Sequence, residues 1–463
     1  MATMLDYLDW YGDLDFSVIP FNEVDNLILS QLAYLDLTGA VPAPPTWDDV
    51  CDMSLDPHPS VTLQAAARSF FALHPADHPE DLGPLISPLT VDLLKRAAES
   101  GRRFANVRMS CYERVFDPDR HEQFAAFLAE LPDGSSYVAY EGTDASLVGW
   151  LEDCEISYRV VPSQADALAF LELAAALTRG PLRVGGHSKG GNLAAFAAAT
   201  CDDAVRGRIC DIWCNDSPGF EDRVVPLDLF RPLASRIHLY TPEYSVVGAL
   251  FDHVVPAVVI KSAGTGVMEH SALDWQVMRG SFVRGCELPV GSKHVNQAFE
   301  RLIDSHDLPE RKKLLDNLYD GLRGEGVETI ADLFAAGPQG IRRMLGSINT
   351  LDDDDRTAMN DFLAGIVRGT VSGAVIDTVT PVARSIGQTL GEAATEARAN
   401  ATKMLEDFRA QQQTRAEAAR EQREKRAANK AADQEKLPEE QTPADSGAAD
   451  ASNNAESEHP HTS

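Results

Sequence analysis

The stretch Leu182-Arg183-Val184-Gly185-Gly186-His187-Ser188-Lys189-Gly190-Gly191-Asn192 constrains this chain more than any other. It holds a Gly-x-Ser-x-Gly pattern at Gly186-His187-Ser188-Lys189-Gly190. A short β-type run, Leu182 to Val184, precedes the pattern, and the alanine-rich segment Leu193 to Ala199 that follows is a strong helix former. Strand, tight turn and helix together predict a nucleophile elbow, in which the serine sits on a sharp and strained turn. A Cβ at either position two residues from the serine would collide with the adjoining strand or helix, which accounts for Gly186 and Gly190. The first turn of the helix then directs N–H groups without intrahelical partners at the space beside Ser188.

A serine hydroxyl needs a base to take its proton. In this arrangement the chain order is serine, acid, histidine. The strand-rich region beyond Ser188 offers His238, His253 and His270. His238 falls inside a predicted strand and His253 precedes one. His270 follows the last predicted strand, where a base enters to reach the elbow, and is the expected base. The expected acid is Glu243, just past the strand Arg236 to Thr241, with Asp252 and Asp216 as competitors. One oxyanion donor is expected from the backbone N–H of Lys189. The other is expected from Thr143, in the turn Tyr140-Glu141-Gly142-Thr143-Asp144.

The rest of the composition narrows the setting. The chain has 463 residues, 44% of them hydrophobic, enough for a large core with additions. A formal charge of −30 argues against nucleic acid as a partner and against attraction to anionic membranes. The seven cysteines are irregularly spaced, and no CxxC pair suggests a metal site. Cys210 and Cys214 lie four apart in an apolar run, as core thiols on one face of a strand would. The start of the chain lacks the basic and apolar regions of a signal peptide, and no apolar run approaches the ~18 residues of a spanning helix. A cytoplasmic protein without metal or cofactor is expected.

Along the chain, Asn22 is a natural N-cap with Asp25 three positions on, and Val24, Leu27, Ile28, Leu32 and Leu35 form the apolar stripe of the helix it opens. Residues 40–60 are proline-rich loop. Helices are expected near 61–72 and 88–100. From Asn106 strands and helices alternate: strand Val107 to Phe116, helix His121 to Leu131, strand Ser136 to Tyr140, strand Ile156 to Val161, and a helix capped by Ser163 running to Leu177. The elbow strand and helix follow, then strands Ile209 to Cys214, Arg236 to Thr241 and Val255 to Ser262. Such alternation predicts an α/β fold with a mostly parallel sheet. Short helices are expected over Lys293 to Ile303, Pro309 to Leu322, Thr329 to Ala336, Gly340 to Leu345 and Asp353 to Val367.

Several of these segments resemble a known family. The strand with Gly142-Thr143-Asp144 and then Val148-Gly149-Trp150-Leu151-Glu152-Asp153 is similar to the oxyanion loop of fungal-type (class III) lipases, and the elbow from Gly185 to Asn192 looks like theirs. Over about 4–305 the chain resembles a bacterial domain-of-unknown-function family of the α/β-hydrolase clan. The likeness rests on Asp6 to Trp10, Phe21 to Leu29, Ser245 to Gly248, and His270 followed by Trp275. It implies the lipase-like α/β-hydrolase fold, with Ser188 and His270 at the positions of nucleophile and base. Two departures stand out. Glu141 occupies the place of an arginine, and Glu243 stands where those lipases carry an aspartate.

The expected organisation is therefore a hydrolase domain over 1–305, a helical extension over 306–369, a charged and partly helical segment over 370–433, and a disordered polar tail over 434–463. The expected function is a serine hydrolase acting on a carboxylic ester, lipid or other acyl ester. The alternative is a non-catalytic protein on the same scaffold whose C-terminal tail binds a protein partner. Membrane contact through Val371 to Leu390 is a weaker expectation, because Pro381 interrupts that segment.

Overall fold

The structure is a computed structural model and describes residues 1–46, 58–74, 89–144, 146–245, 247–264, 266–285 and 307–323. The chain opens with helices α1 (Met4–Tyr11), α2 (Glu23–Leu32), α3 (Leu63–Leu73) and α4 (Leu89–Glu99), with the short strand β1 (Val61–Thr62) before α3. The sheet continues with β2 (Arg108–Asp117), β3 (Glu122–Glu130) and β4 (Ser136–Tyr140). After β4 come α5 (Leu147–Glu155), α6 (Pro162–Leu177), β5 (Leu182–His187), α7 (Lys189–Thr200), α8 (Asp203–Arg206), β6 (Ile209–Asn215), β7 (Ile237–Pro242) and β8 (Val258–Ile260). A two-stranded hairpin, β9 (Val277–Met278) with β10 (Ser281–Phe282), and helix α9 (Leu308–Arg323) complete the described elements.

Eight strands form one sheet in chain order, β1 to β8. The three pairings from β1 to β4 are antiparallel, and the four from β4 to β8 are parallel. The mixed α/β architecture and its mostly parallel sheet agree with the alternation in the sequence.

Strand periodicity divides the core in two. In β3, Ala125, Phe127 and Ala129 face the cluster built by the N-terminal helices, while Phe124, Ala126 and Leu128 face the cluster built by α6 and α7. In β4, Tyr137 and Ala139 face the first cluster, and Val138 and Tyr140 the second. Both faces of the central strands are thus buried, and these strands read as continuous apolar runs.

Segment 121–131 shows the cost of that ambiguity: the helix expected there is the strand β3, buried along nearly its whole length and paired on both sides. The strand expected over Ile156 to Val161 is absent; those residues close α5 and lead into α6. Helix α6 starts two residues earlier than a Ser163 cap implies, with Pro162 at its first position, and the Gln164 side chain, rather than Ser163, takes the N–H of Val161. The helix expected at Pro309 to Leu322 is α9, while those expected over 293–303, 329–336, 340–345 and 353–367, and the segments beyond, lie outside the described residues.

Helix α2 is the internal pillar. The Asn22 side chain accepts from the N–H groups of Val24 and Asp25, and Asp25 returns a carboxylate to the Asn22 N–H, a complete capping box. Asp25 is fully buried and accepts from Arg103 Nε at 2.7 Å and from the Tyr7 hydroxyl at 2.8 Å. The next residue, Asn26, joins Tyr137, Ser30 and Asn215 in a buried hydrogen-bond network under β5. Asn215 Nδ2 also donates to the Gly186 carbonyl at 3.0 Å, which ties this pillar to the elbow strand.

Candidate active site

Ser188 stands between the last residue of β5 and the first of α7. Its φ of 58° and ψ of −132° lie outside the regions L-residues favour, the strain expected of a nucleophile elbow. The turn is held by the Ser188 N–H donating to the Asn215 carbonyl at 2.9 Å, on the neighbouring strand. The glycines have concrete reasons. A Cβ on Gly186 would lie 2.3 Å from the carbonyl carbon of Gly190, and one on Gly190 would lie 2.3 Å from the Tyr140 carbonyl oxygen. Strand and helix touch backbone to backbone at this point.

His270, at the end of a 3₁₀ turn over Gly266–His270, is buried beside the elbow. Its ring centroid lies 4.5 Å from that of His187, and the His270 carbonyl lies 2.8 Å from His187 Nε2. A nitrogen facing a carbonyl must carry the proton, so His187 donates through Nε2 and accepts through Nδ1 from the Tyr34 hydroxyl, 2.9 Å away. Burial, reinforced by His270, holds the His187 pKa well below its ordinary value and keeps this ring neutral.

The carboxylate on His270 is Asp216. Its Oδ2 accepts from His270 Nδ1 at 2.7 Å, and its side chain is fully buried. Asp216 follows the last residue of β6 with φ 47°, and its N–H donates to the Tyr240 carbonyl at 2.7 Å. The other oxygen, Oδ1, accepts from the Ser245 hydroxyl at 2.5 Å and from the Gly248 N–H at 3.1 Å. Ser245 and Gly248 therefore clamp one carboxylate oxygen and leave the other aimed at the imidazole.

Glu243, the acid preferred from sequence, does not take this position. Its N–H donates to the Ile260 carbonyl, and its carboxylate lies against Gly285. Asp252 bridges to Phe220, and His238 pairs with Asp211 at 2.9 Å on the sheet. His253 is a half-buried residue whose pKa burial lowers to about 4. The signal for Asp216 was present: Asn215-Asp216-Ser217-Pro218-Gly219 is a dense turn cluster ending the strand next to the elbow strand, and aspartate is among the residues that tolerate positive φ.

On the opposite flank, β4 runs into Glu141-Gly142-Thr143-Asp144. A Cβ on Gly142 would meet the Tyr34 hydroxyl at 1.9 Å and the His187 carbonyl oxygen at 2.6 Å, so this turn presses directly on the elbow. The Thr143 hydroxyl donates to Asp153 Oδ2 on α5. Burial pushes the Asp153 carboxyl up to about 6 against the pull of Lys189 and Thr143, and its Oδ1 is buried with no hydrogen-bond partner among the described residues. Burial also pushes Glu141 up to about 8, which leaves it a neutral acid near pH 7 that accepts from Gln123 Nε2 at 2.7 Å. Lys189 is the first residue of α7, so its N–H has no carbonyl to bond within the helix. Among the described residues, no group of three or more His, Cys, Asp or Glu could hold a metal ion, and no helix is long and apolar enough to cross a membrane.

Residues 98–320 match the model of the Mbeg1-like family, a span that contains every residue of this site except Tyr34. No curated protein matches the chain.

Proposed function

We propose that this chain is a serine hydrolase that cleaves a carboxylic ester, lipid or other acyl ester, on a lipase-like α/β-hydrolase scaffold. The observation that carries the reading is the buried 2.7 Å contact between His270 and Asp216 beside a serine held at positive φ. The Mbeg1-like match, a family linked to lipase-like proteins, supports it.

In this mechanism Asp216 accepts from His270 Nδ1, which leaves Nε2 as the basic nitrogen. Nε2 takes the proton of Ser188 as its oxygen attacks the ester carbonyl. The negative charge that develops on the carbonyl oxygen is met by the backbone N–H groups of Lys189 and Thr143, the latter anchored by its hydroxyl, which donates to Asp153. His270 passes the proton to the departing alkoxide, leaving an acyl group on Ser188. Water, deprotonated by the same nitrogen, attacks that acyl group and releases the acid, and the proton returns to Ser188. All of these groups lie at the carboxyl ends of parallel strands β4 to β8 or in the turns after them, the edge where open α/β sheets bind ligands.

The test is hydrolysis of p-nitrophenyl esters of graded chain length by the wild type and by Ser188→Ala. Cleavage lost in the variant at unchanged stability supports the reading; equal rates remove it.

A further inference from the structure

The residue after the nucleophile carries a buried charge that the mechanism above does not use. The Lys189 side chain is fully buried, and its ammonium makes three contacts of 2.7 Å: to the Gln123 carbonyl oxygen, to Gln123 Oε1 and to Glu152 Oε2. Three donors meet three acceptors, so the group is fully satisfied. Burial opposes the charge, yet the carboxylates of Glu152 and Asp153 outweigh it and hold the lysine's pKa above its ordinary value. An apolar side chain would fill the same space without desolvating an ion, so packing alone does not explain a lysine here.

Its partners explain it. Gln123 donates from Nε2 to Glu141 and accepts at Oε1 from the N–H of Asp144 at 3.4 Å, so it grips the residues on both sides of Gly142-Thr143. Glu152 accepts from the N–H groups of Gln123 at 3.2 Å and Ser163 at 3.0 Å, which pins α5 to β3 and to the start of α6. The next residue on α5 is Asp153, the acceptor for the Thr143 hydroxyl. The bonds that Gln123 makes on either side of Gly142-Thr143, and the α5 segment that carries Asp153, therefore lead back to the Lys189 ammonium.

We propose that the Lys189 side chain is the positioning residue of the oxyanion site. The backbone of Lys189 supplies one donor and its ammonium fixes the loop that supplies the other, so a single residue sets the spacing between the two. This rests on Ser188 being the nucleophile.

The test uses the full chain and a fluorophosphonate probe, whose reaction at a serine needs the same oxyanion stabilisation and no knowledge of the natural substrate. Lys189→Met should lower the rate constant for phosphonylation of Ser188 by about 100-fold, the size of losing one donor, while reversible binding of the probe stays unchanged. The double variant Lys189→Met with Glu152→Met removes both charges. It should recover thermal stability but not the labelling rate. A core variant of comparably lowered stability, Leu171→Ala on α6, should label like the wild type. Labelling that recovers together with stability in the double variant, or undiminished labelling of Lys189→Met, overturns the proposal. Where Lys189→Met does not fold, the double variant decides alone. A wild type that is not labelled at Ser188 instead removes the proposed function, and this inference with it.

Discussion

Asp216 and His270, 54 positions apart in the chain, meet at 2.7 Å in a buried contact between a carboxylate oxygen and the imidazole Nδ1. The other carboxylate oxygen is held by Ser245 and Gly248, so the acid has one free direction and His270 occupies it. Asp216→Asn keeps the shape but presents an amide to Nδ1 and favours the wrong tautomer. Its kcat should fall by about 10⁴-fold, whereas Glu243→Gln should leave the rate near that of the wild type. Ester hydrolysis by the two variants side by side checks the assignment.

The glycines of the elbow differ from other glycines in what surrounds them. Gly186→Ala and Gly190→Ala each place a Cβ 2.3 Å from backbone atoms that have no room to move. Both should give insoluble or unfolded protein. Gly134, at φ 82°, has nothing within 4 Å of the position its Cβ would take, so Gly134→Ala meets only backbone strain and should fold with a lower Tm. Soluble yield and thermal melts separate the two cases.

Arg103 and Asp25 are both fully buried, and Arg103 also donates to the carbonyl oxygens of Leu14 and Ile19 at 3.0 Å. Arg103→Met would leave a buried carboxylate without its counter-charge. The expected loss is about 3–5 kcal/mol of folding stability, measured by chemical denaturation.

The buried acids make stability depend on pH with a defined sign. Glu141 has an ordinary value of 4.5 and is raised to about 8 in the fold. Between these values the folded state holds a proton that the unfolded chain has released, so stability falls as pH rises through that window and is fully present below it. His253, lowered from 6.5 to about 4, acts in the other direction: its contribution is present above 6.5 and is lost as pH falls toward 4. Glu141→Gln should remove the part of the fall in stability that Glu141 contributes between pH 4.5 and about 8, read from a Tm-against-pH curve.

Much of this site could be read from local chemistry. The elbow turn, the close packing at its two glycines and the Asn22 cap follow from backbone constraints that a few adjacent residues impose, whereas His270 is reached from chain order and its place after the last strand. The misread elements are those decided at a distance. Residues 122–130 carry Phe124, Phe127 and Leu128 at spacings that suit a helix. They form a strand because β2 and β4 pair on either side and apolar layers cover both faces. The sequence favours Glu243 over Asp216 because Glu243 follows the predicted strand just before the one that leads to His270. In space, β6 lies beside the elbow strand, and Ser245 and Gly248 hold one oxygen of Asp216 while the other meets His270. The charge of Lys189 likewise acquires meaning only once Gln123 and Glu152 are brought to it across 66 and 37 residues.

The central claim is that the Ser188 hydroxyl is made nucleophilic by the His270–Asp216 pair. The most direct measurement is the site and rate of fluorophosphonate labelling, read by mass spectrometry of the intact chain and its peptides, for the wild type, Ser188→Ala and His270→Ala. The account predicts a single adduct on the peptide carrying Ser188, none in Ser188→Ala, and labelling slowed by orders of magnitude in His270→Ala. An adduct that forms at equal rate in all three proteins, or no adduct on a folded wild type, would contradict it.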